Sequence, residues 1–264
     1  MRRTIRWSVL SLLGFLGTQQ GQVQPAACGA DEACIVGELA ATPKTPDRSP
    51  KLTKVARPAN TERCPDAPVD VTAESADERR LACSAAADAI QRLDACGITL
   101  RRPLRVQITS EVRHPFSGAV FGLFDTKQER VLVTQEANIP ALVKGTPYAM
   151  LPRRDFYRSA IIHEVIHGVM HQNLKRPAST HAAYEYPAYA LQIEALPPSV
   201  RDMFLQSFDQ RAIKANSVFS DSILLFDPYF FAARAYEHFK ASADGCSHLA
   251  AILEGKVSFI APPM

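Results

Sequence analysis

The segment Ile161-Ile162-His163-Glu164-Val165-Ile166-His167-Gly168-Val169 carries the most information in this chain. Two histidines four residues apart on a helix share one face about one turn apart, so their imidazole nitrogens can converge on a single metal ion at about 2.0–2.1 Å. Glu164, rotated about 100° from His163, reaches a water beside that ion without being a ligand. Such a carboxylate takes a proton while zinc lowers the water's pKa and polarises a carbonyl. With 7 histidines in 264 residues, the pattern arises by accident on the order of once in a hundred chains. Pro152 suits a first helical position, and no proline interrupts residues 153–174. Ile162, Val165 and Val169 form a face fit for burial. Two ordinary core histidines would require His163, Glu164 and His167 to be buried together with nothing to compensate them.

Upstream, Thr72 is a candidate N-cap, with Glu74, Asp77 and Glu78 in the first turns, an Ala- and Leu-rich stretch, and Gly97 just past Cys96. The pattern predicts a helix there. Leu104, Val106 and Ile108 alternate with Arg105, Gln107 and Thr109, which predicts a half-buried strand. The apolar runs 119–124 and 130–134 flank Asp125-Thr-Lys-Gln-Glu129, predicting a hairpin with a five-residue loop. Beyond Leu151 the pattern is helical, broken at Pro177, Pro197-Pro198, Pro228 and Gly245. Asp227-Pro228 reads as a helix start, and residues 199–262 as three or four short helices. The class is therefore α+β, with a small antiparallel or mixed sheet early, an active-site helix, and a mainly helical C-terminal part. The packed domain is expected over residues 71–264, with the sheet and metal helices at 71–196 and a helical subdomain at 197–264.

The composition, 47% hydrophobic and 22% charged, is globular. Residues 1–26 contain Arg2, Arg3 and Arg6 and no acid, which leaves 27 basic against 27 acidic residues in the rest of the chain. No basic stripe suits nucleic acid. The three arginines precede a short apolar run, 7–16, and then Ala26 and Ala27, so residues 1–26 read as an export signal. About ten apolar residues are too few for the roughly 20 that span a bilayer, so no stable membrane insertion is expected after signal removal. The expected location is periplasmic or secreted. Residues 27–70, proline-rich from Pro43 to Pro68, read as a disulfide-tethered N-terminal segment. The six cysteines, 28, 34, 64, 83, 96 and 246, form no C-x-x-C pair and read as disulfides. Cys83 and Cys96 lie on one predicted helix roughly 20 Å apart, too far to pair with each other.

The motif resembles that of the zincin superfamily of metallopeptidases, whose signature is H-E-x-x-H among uncharged residues. Met170 and Asn173 occupy the positions where the metzincin branch needs glycine and histidine. The gluzincin branch takes its third ligand from a glutamate on a following helix. In Tyr184-Glu185-Tyr186-Pro187-Ala188, 17 residues separate Glu185 from His167, slightly short of that spacing. By element order the resemblance extends over residues 104–196. It implies one Zn2+ per chain held by His163, His167 and Glu185, with Glu164 as general base and later proton donor. It also implies a peptide or protein substrate that pairs with an edge strand along the cleft, a place that Arg130 to Thr134 fits by order. Pro187, tolerated in a first helical turn, predicts that the second helix starts near Ala183, with Glu185 at its N-terminal end. Glu194, His171 and His181 are the competing ligands.

An oxyanion donor is also needed. Tyr148, Tyr157, Tyr184, Tyr186, Tyr189, Tyr229, Tyr236 and His238 crowd the region, while His114 and His248 read as surface. The leading reading is an exported zinc-dependent hydrolase, a metallopeptidase. The alternative is a non-catalytic zincin-like module that binds zinc and a peptide or protein partner. The intact Glu164 favours the enzyme, because a structural site has no use for a carboxylate there.

Overall fold

The computed structural model describes residues 60–114, 118–176, 180–208, 219–242, 244–257 and 259, all within the unit Lys54–Met264. The expected export signal, Cys28 and Cys34 lie outside them. The strands are β1 (Thr61–Arg63), β2 (Val69–Thr72), β3 (Leu104–Thr109), β4 (Val112–His114), β5 (Gly118–Val120), β6 (Gly122–Asp125) and β7 (Arg130–Thr134). Helices α1 (Ala76–Asp94), α2 (Ile139–Val143), α3 (Arg153–Asn173), α4 (His181–Glu194), α5 (Pro198–Leu205), α6 (Asp221–Phe226), α7 (Pro228–Ala241) and α8 (Gly245–Leu253) complete the fold.

Five strands form a mixed sheet in the order β1-β2-β3-β7-β6, and β4 and β5 form a separate antiparallel ribbon. β2 runs parallel to β3, and β3 parallel to β7, whereas β1 and β6 are antiparallel to their neighbours. The parallel pairing follows from α1, which crosses over between β2 and β3 as parallel neighbours require. Strand order thus begins upstream of the expected start near Val71, because Val69 and Val71 bury their side chains in the sheet. Val69, Val71, Leu104, Val106, Ile108, Val131 and Val133 fill one face, against which α1 and α3 pack. Arg105, exposed on the other face, and the Arg130 guanidinium, which donates to Gln107 Oε1 at 2.8 Å, keep that face polar.

The cap of α1 is Ser75, whose side chain accepts from the Glu78 N–H, rather than Thr72. Thr72 is held in β2, its hydroxyl 2.7 Å from that of Thr61. Ala82, Ala85, Ala86 and Ala89 are fully buried and let α1 approach α3 closely. Gly97, at φ +71°, turns the chain away as the Ile98 N–H bonds back to the Leu93 carbonyl, in the manner of a helix C-terminal motif. The β6–β7 hairpin pairs Asp125 with Arg130, so its loop is four residues, one fewer than expected. Asp125 Oδ1 accepts from the Lys127 and Gln128 N–H groups and closes the turn early.

Two disulfides join Cys64 to Cys83 and Cys96 to Cys246. As the spacing required, Cys83 and Cys96 take other partners. The first ties the β1–β2 connection to α1. The second closes 150 residues of sequence, joining the end of α1 to α8, and such long closures restrict the unfolded chain most in the chain-entropy account. Bonds of this kind persist in oxidising compartments. No helix of the described residues is long and apolar enough to cross a membrane.

α3 is buried on nearly every side from Ser159 to Met170, as expected of a helix at the centre of a domain. Pro152 is its N-cap residue rather than its first helical one. α4 begins earlier than Pro187 suggests. Thr180 caps it by accepting from the Ala183 N–H, so Pro187 falls inside the helix and removes one backbone bond. α7 lies along α4, and α8 packs on α7. The expected start at Asp227-Pro228 holds, with Asp227 accepting from the Phe230 N–H.

Candidate metal centre

α3 presents His163 and His167 one turn apart on the face turned toward α4, their Nε2 atoms 3.1 Å from each other. α4 supplies Glu185, whose Oε2 is 3.3 Å from His163 Nε2 and whose Oε1 is 3.4 Å from His167 Nε2. Ala182 and Ala188, small and buried, lie within about 60° of Glu185 on the helical wheel and leave room for the two helices to approach. Ligand atoms arranged tetrahedrally at about 2.0–2.1 Å from one ion stand about 3.3 Å apart. The separations are of that order, the two carboxylate distances being to different oxygens of Glu185, and the three side chains form the one group among the described residues that could hold a metal ion.

The orientation of His163 is fixed from behind. Its Nδ1 lies 2.9 Å from Gln192 Oε1, which accepts the Nδ1 proton and leaves the Nε2 lone pair facing His167 and Glu185. Gln192 in turn reaches Ser159 Oγ at 3.5 Å, and that hydroxyl donates to the Phe156 carbonyl. An outer partner of this sort sets the tautomer of a metal-ligating histidine. Gln192 is buried on the same face of α4, two turns beyond Glu185. That seven-residue spacing was the available sequence signal for it. Two tyrosines enclose the pair: the Tyr184 ring stacks on His167 at 4.5 Å, and Tyr189 meets His163 edge-on at 4.6 Å.

Burial alone would push the Glu185 carboxyl up, but the charges and hydrogen bonds of His167 and His163 together hold it well below the usual carboxylate range. Burial pulls the other way on His163, and the hydrogen bond and charge of Glu185 outweigh it, so its pKa is raised. The two shifts have one physical source, the attraction between the Glu185 carboxylate and the imidazoles. Glu164 differs. Burial raises its pKa, His163 and His167 only partly offset that, and Glu185 adds to it.

Glu164 points at strand β6, not at Glu185, and its carboxylate accepts from the Phe124 N–H. Gly122, on the same strand, has no side chain for a physical reason: a Cβ there would lie 2.5 Å from Glu164 Cγ and 2.8 Å from its Oε1. Gly122→Ala should therefore displace the Glu164 carboxylate while leaving both histidines and Glu185 in place. If the site is catalytic, turnover should fall about a hundredfold or more, as for loss of a positioned base, with metal uptake unchanged; the check is paired kinetics and elemental analysis of the variant. Nothing in the sequence singled out Gly122, because the contact joins residues far apart in the chain.

A cleft of about 690 Å³ opens over His163, His167 and Glu185. One wall is Phe121 to Phe124, where β6 forms the sheet edge; α6 and the start of α7 form the opposite wall through Leu224, Leu225 and Tyr229. The edge strand along the cleft is thus β6 and not Arg130–Thr134, because the hairpin folds β7 inward between β3 and β6. The C-terminal helices both support α4 and line the cleft.

The remaining sequence candidates separate clearly. Glu194 is turned away and paired with Lys240 at 3.0 Å and Arg92 at 3.5 Å. His171 rests against Phe124, and His181 is exposed at the rim, 3.7 Å from Glu185 Oε1. Tyr157 donates to Glu78, Tyr236 lies under the Arg201 guanidinium, and Tyr186 pairs with His238 at 2.7 Å, so none of these faces the cleft. Tyr148, Tyr184, Tyr189 and Tyr229 do line it. The two histidines read as surface are half-buried. His114 lines the cleft, and His248 packs among Tyr186, His238 and Phe259, where an aromatic cluster has drawn it in.

No curated protein and no solved structure matches the chain. A family model does match it over residues 69–262, from β2 through the C-terminal helices, and on that extent the chain belongs to DUF6639, a family of unknown function.

Proposed function

We propose that this protein is an exported zinc-dependent hydrolase, a metallopeptidase of the zincin type. The observation that carries the reading is the pairing of two features: two imidazole nitrogens and a carboxylate gathered closely enough to hold one ion, and a buried carboxyl beside them, outside that group, that lines the open cleft. A structural site needs only the first. In the proposed chemistry His163, His167 and Glu185 hold the ion, which when bound lowers the pKa of water and polarises the scissile carbonyl. Glu164 takes the proton of the attacking water and delivers it to the departing amine, a role its raised pKa suits. Gln192 keeps His163 in the ligating tautomer. The open edge of β6 can pair with an extended peptide, and the two disulfides fit an oxidising, extracytoplasmic setting.

The test is elemental analysis of the purified full-length chain, followed by cleavage of a mixed peptide library with and without chelator. About one zinc per chain, and cleavage that stops on chelation and returns with zinc, is the expected result. A folded chain that takes up no added zinc would sink the proposal. Zinc uptake without cleavage of any library member would leave the alternative, a zinc-holding module that binds a peptide or protein.

A further inference from the structure

Among the described residues four large apolar side chains are exposed: Met150, Met203, Leu225 and Phe226. The two methionines stand apart in sequence and are about half exposed, and the Met150 sulfur accepts from the Ser207 hydroxyl at 3.2 Å. Leu225 and Phe226 differ. They are consecutive at the end of α6 and are 78% and 84% exposed. Leu224 and Leu225 line the cleft, Pro228 and Tyr229 line it again, and Phe226 falls between them at its rim. Burying one leucine or phenylalanine side chain shifts an equilibrium by about tenfold or more, so leaving two together in water forgoes a large gain. Single exposed apolar residues are ordinary, whereas a contiguous pair continuing a ligand-sized cleft marks a place where something binds.

α6 is anchored where it stands. Ser220 caps it by accepting from the Ile223 N–H at 3.2 Å, and Asp221 Oδ1 accepts from the Ala182 N–H at 2.7 Å, which ties α6 to the first turn of α4, three residues before Glu185. Leu224 is buried, and α6 packs on α7 and α4. The two exposed side chains are therefore held at a fixed place relative to Glu185. Across the cleft, the β6 wall offers Leu123 and Phe124. No Lys or Arg lines the cleft among the described residues, while Glu164, Glu185 and Asp221 do, so an acidic side chain would meet like charge and no counter-ion there. A sheet edge on one wall suits the backbone of an extended peptide, and the α6 wall suits a bulky uncharged side chain of that peptide.

We infer that Leu225 and Phe226 are specificity-determining residues of the cleft: they form an apolar ledge on the α6 wall that seats a bulky apolar side chain of a substrate peptide. The inference rests on the reading of the cleft as a peptide site, and it extends that reading to the class of side chain and to the residues that select it. Apolar contact rewards buried area and recognises no particular polar tip, so the preference is graded by size, with phenylalanine and leucine above alanine and aspartate last.

The experiment uses full-length Glu164→Gln protein loaded with zinc, so that peptides bind without being consumed. Calorimetric titration is carried out with peptides that differ at one central residue: Phe, Leu, Ala or Asp. The expected result is binding of the Phe and Leu peptides about tenfold tighter than the Ala peptide, with Asp weakest. Adding Leu225→Ser and Phe226→Ser together should bring Phe, Leu and Ala to within about twofold of one another. Both positions are exposed, so the added pair should leave Tm of the unliganded protein within about 2 °C. Equal binding of the Phe, Leu and Ala peptides, a preference that survives the two substitutions, tightest binding of Asp, or no binding by any peptide would overturn the assignment. So would a dimer in sedimentation, or association with phosphatidylcholine–phosphatidylglycerol vesicles, that the two substitutions abolish, since the ledge would then belong to a second copy or to a lipid surface. Zinc content and library cleavage of the wild type are read separately. A ledge-dependent apolar preference in a protein that cleaves nothing would keep the ledge and remove the hydrolase, and cleavage with no such preference would do the reverse.

Discussion

Glu164→Gln should remove turnover by about a thousandfold or more while zinc stays bound, since a positioned proton-transfer group contributes roughly 10²–10⁴ and this one is not a ligand. The amide keeps the shape and can still accept from the Phe124 N–H. The distinguishing check is single-turnover kinetics beside elemental analysis: loss of zinc along with activity would make Glu164 part of the metal site and defeat its assigned role. The same variant carries a pH signature in the metal-free protein. The folded pKa of Glu164 is raised above the ordinary 4.5, so the folded state holds this proton more tightly than the unfolded chain does. The resulting penalty is absent below pH 4.5 and grows as pH rises through the raised folded value. Metal-free Glu164→Gln should accordingly melt higher than metal-free wild type at neutral pH, with the advantage vanishing at low pH. Melting curves over a pH series decide this.

On the proposed reading Glu185→Ala removes a ligand, so it should weaken zinc binding by more than the 10–100-fold typical of outer partners such as Gln192. Competition titration against a chromophoric chelator measures the loss. Gln192→Leu, for comparison, should fall inside that 10–100-fold range, and an equal effect of the two substitutions would argue that Glu185 is not a ligand. Without metal the sign of the pH effect is the reverse of that at Glu164. The lowered pKa of Glu185 contributes stability above its ordinary 4.5, which is lost only as pH falls through the depressed folded value. The raised pKa of His163 contributes stability below its ordinary 6.5, which is lost as pH rises through the elevated folded value. Both contributions coexist between about pH 4.5 and 6.5, so metal-free Glu185→Ala should lose most stability in that window. Loss that is flat across pH would mean that packing, and not the histidine–carboxylate interaction, holds α4 to α3.

Local chemistry written into the chain determined a good deal. Four-residue spacing on an uninterrupted apolar helix placed His163 and His167 on one face with Glu164 beside them, because helical period leaves those side chains no other arrangement. Alternation along Leu104–Thr109 and Asp227-Pro228 before an aromatic run likewise fixed a strand and a helix start. The rise of a helix per residue was enough to forbid a Cys83–Cys96 bond. Tertiary structure alone decided what depends on distant segments meeting. The side chains of Glu185 and Gln192 have meaning only once α4 lies on α3, and Glu194, equally carboxylate, is drawn off by Lys240 and Arg92. Thr180 overrode the local preference of Pro187 because a satisfied cap and the packing of α4 outweigh one missing backbone bond. The sheet edge fell to β6 and not β7, since hairpin order in sequence does not say which strand folds inward. Gly122 and Glu164 meet although they stand 42 positions apart; no periodicity records such a meeting, and only the packed molecule reveals which glycine must be small.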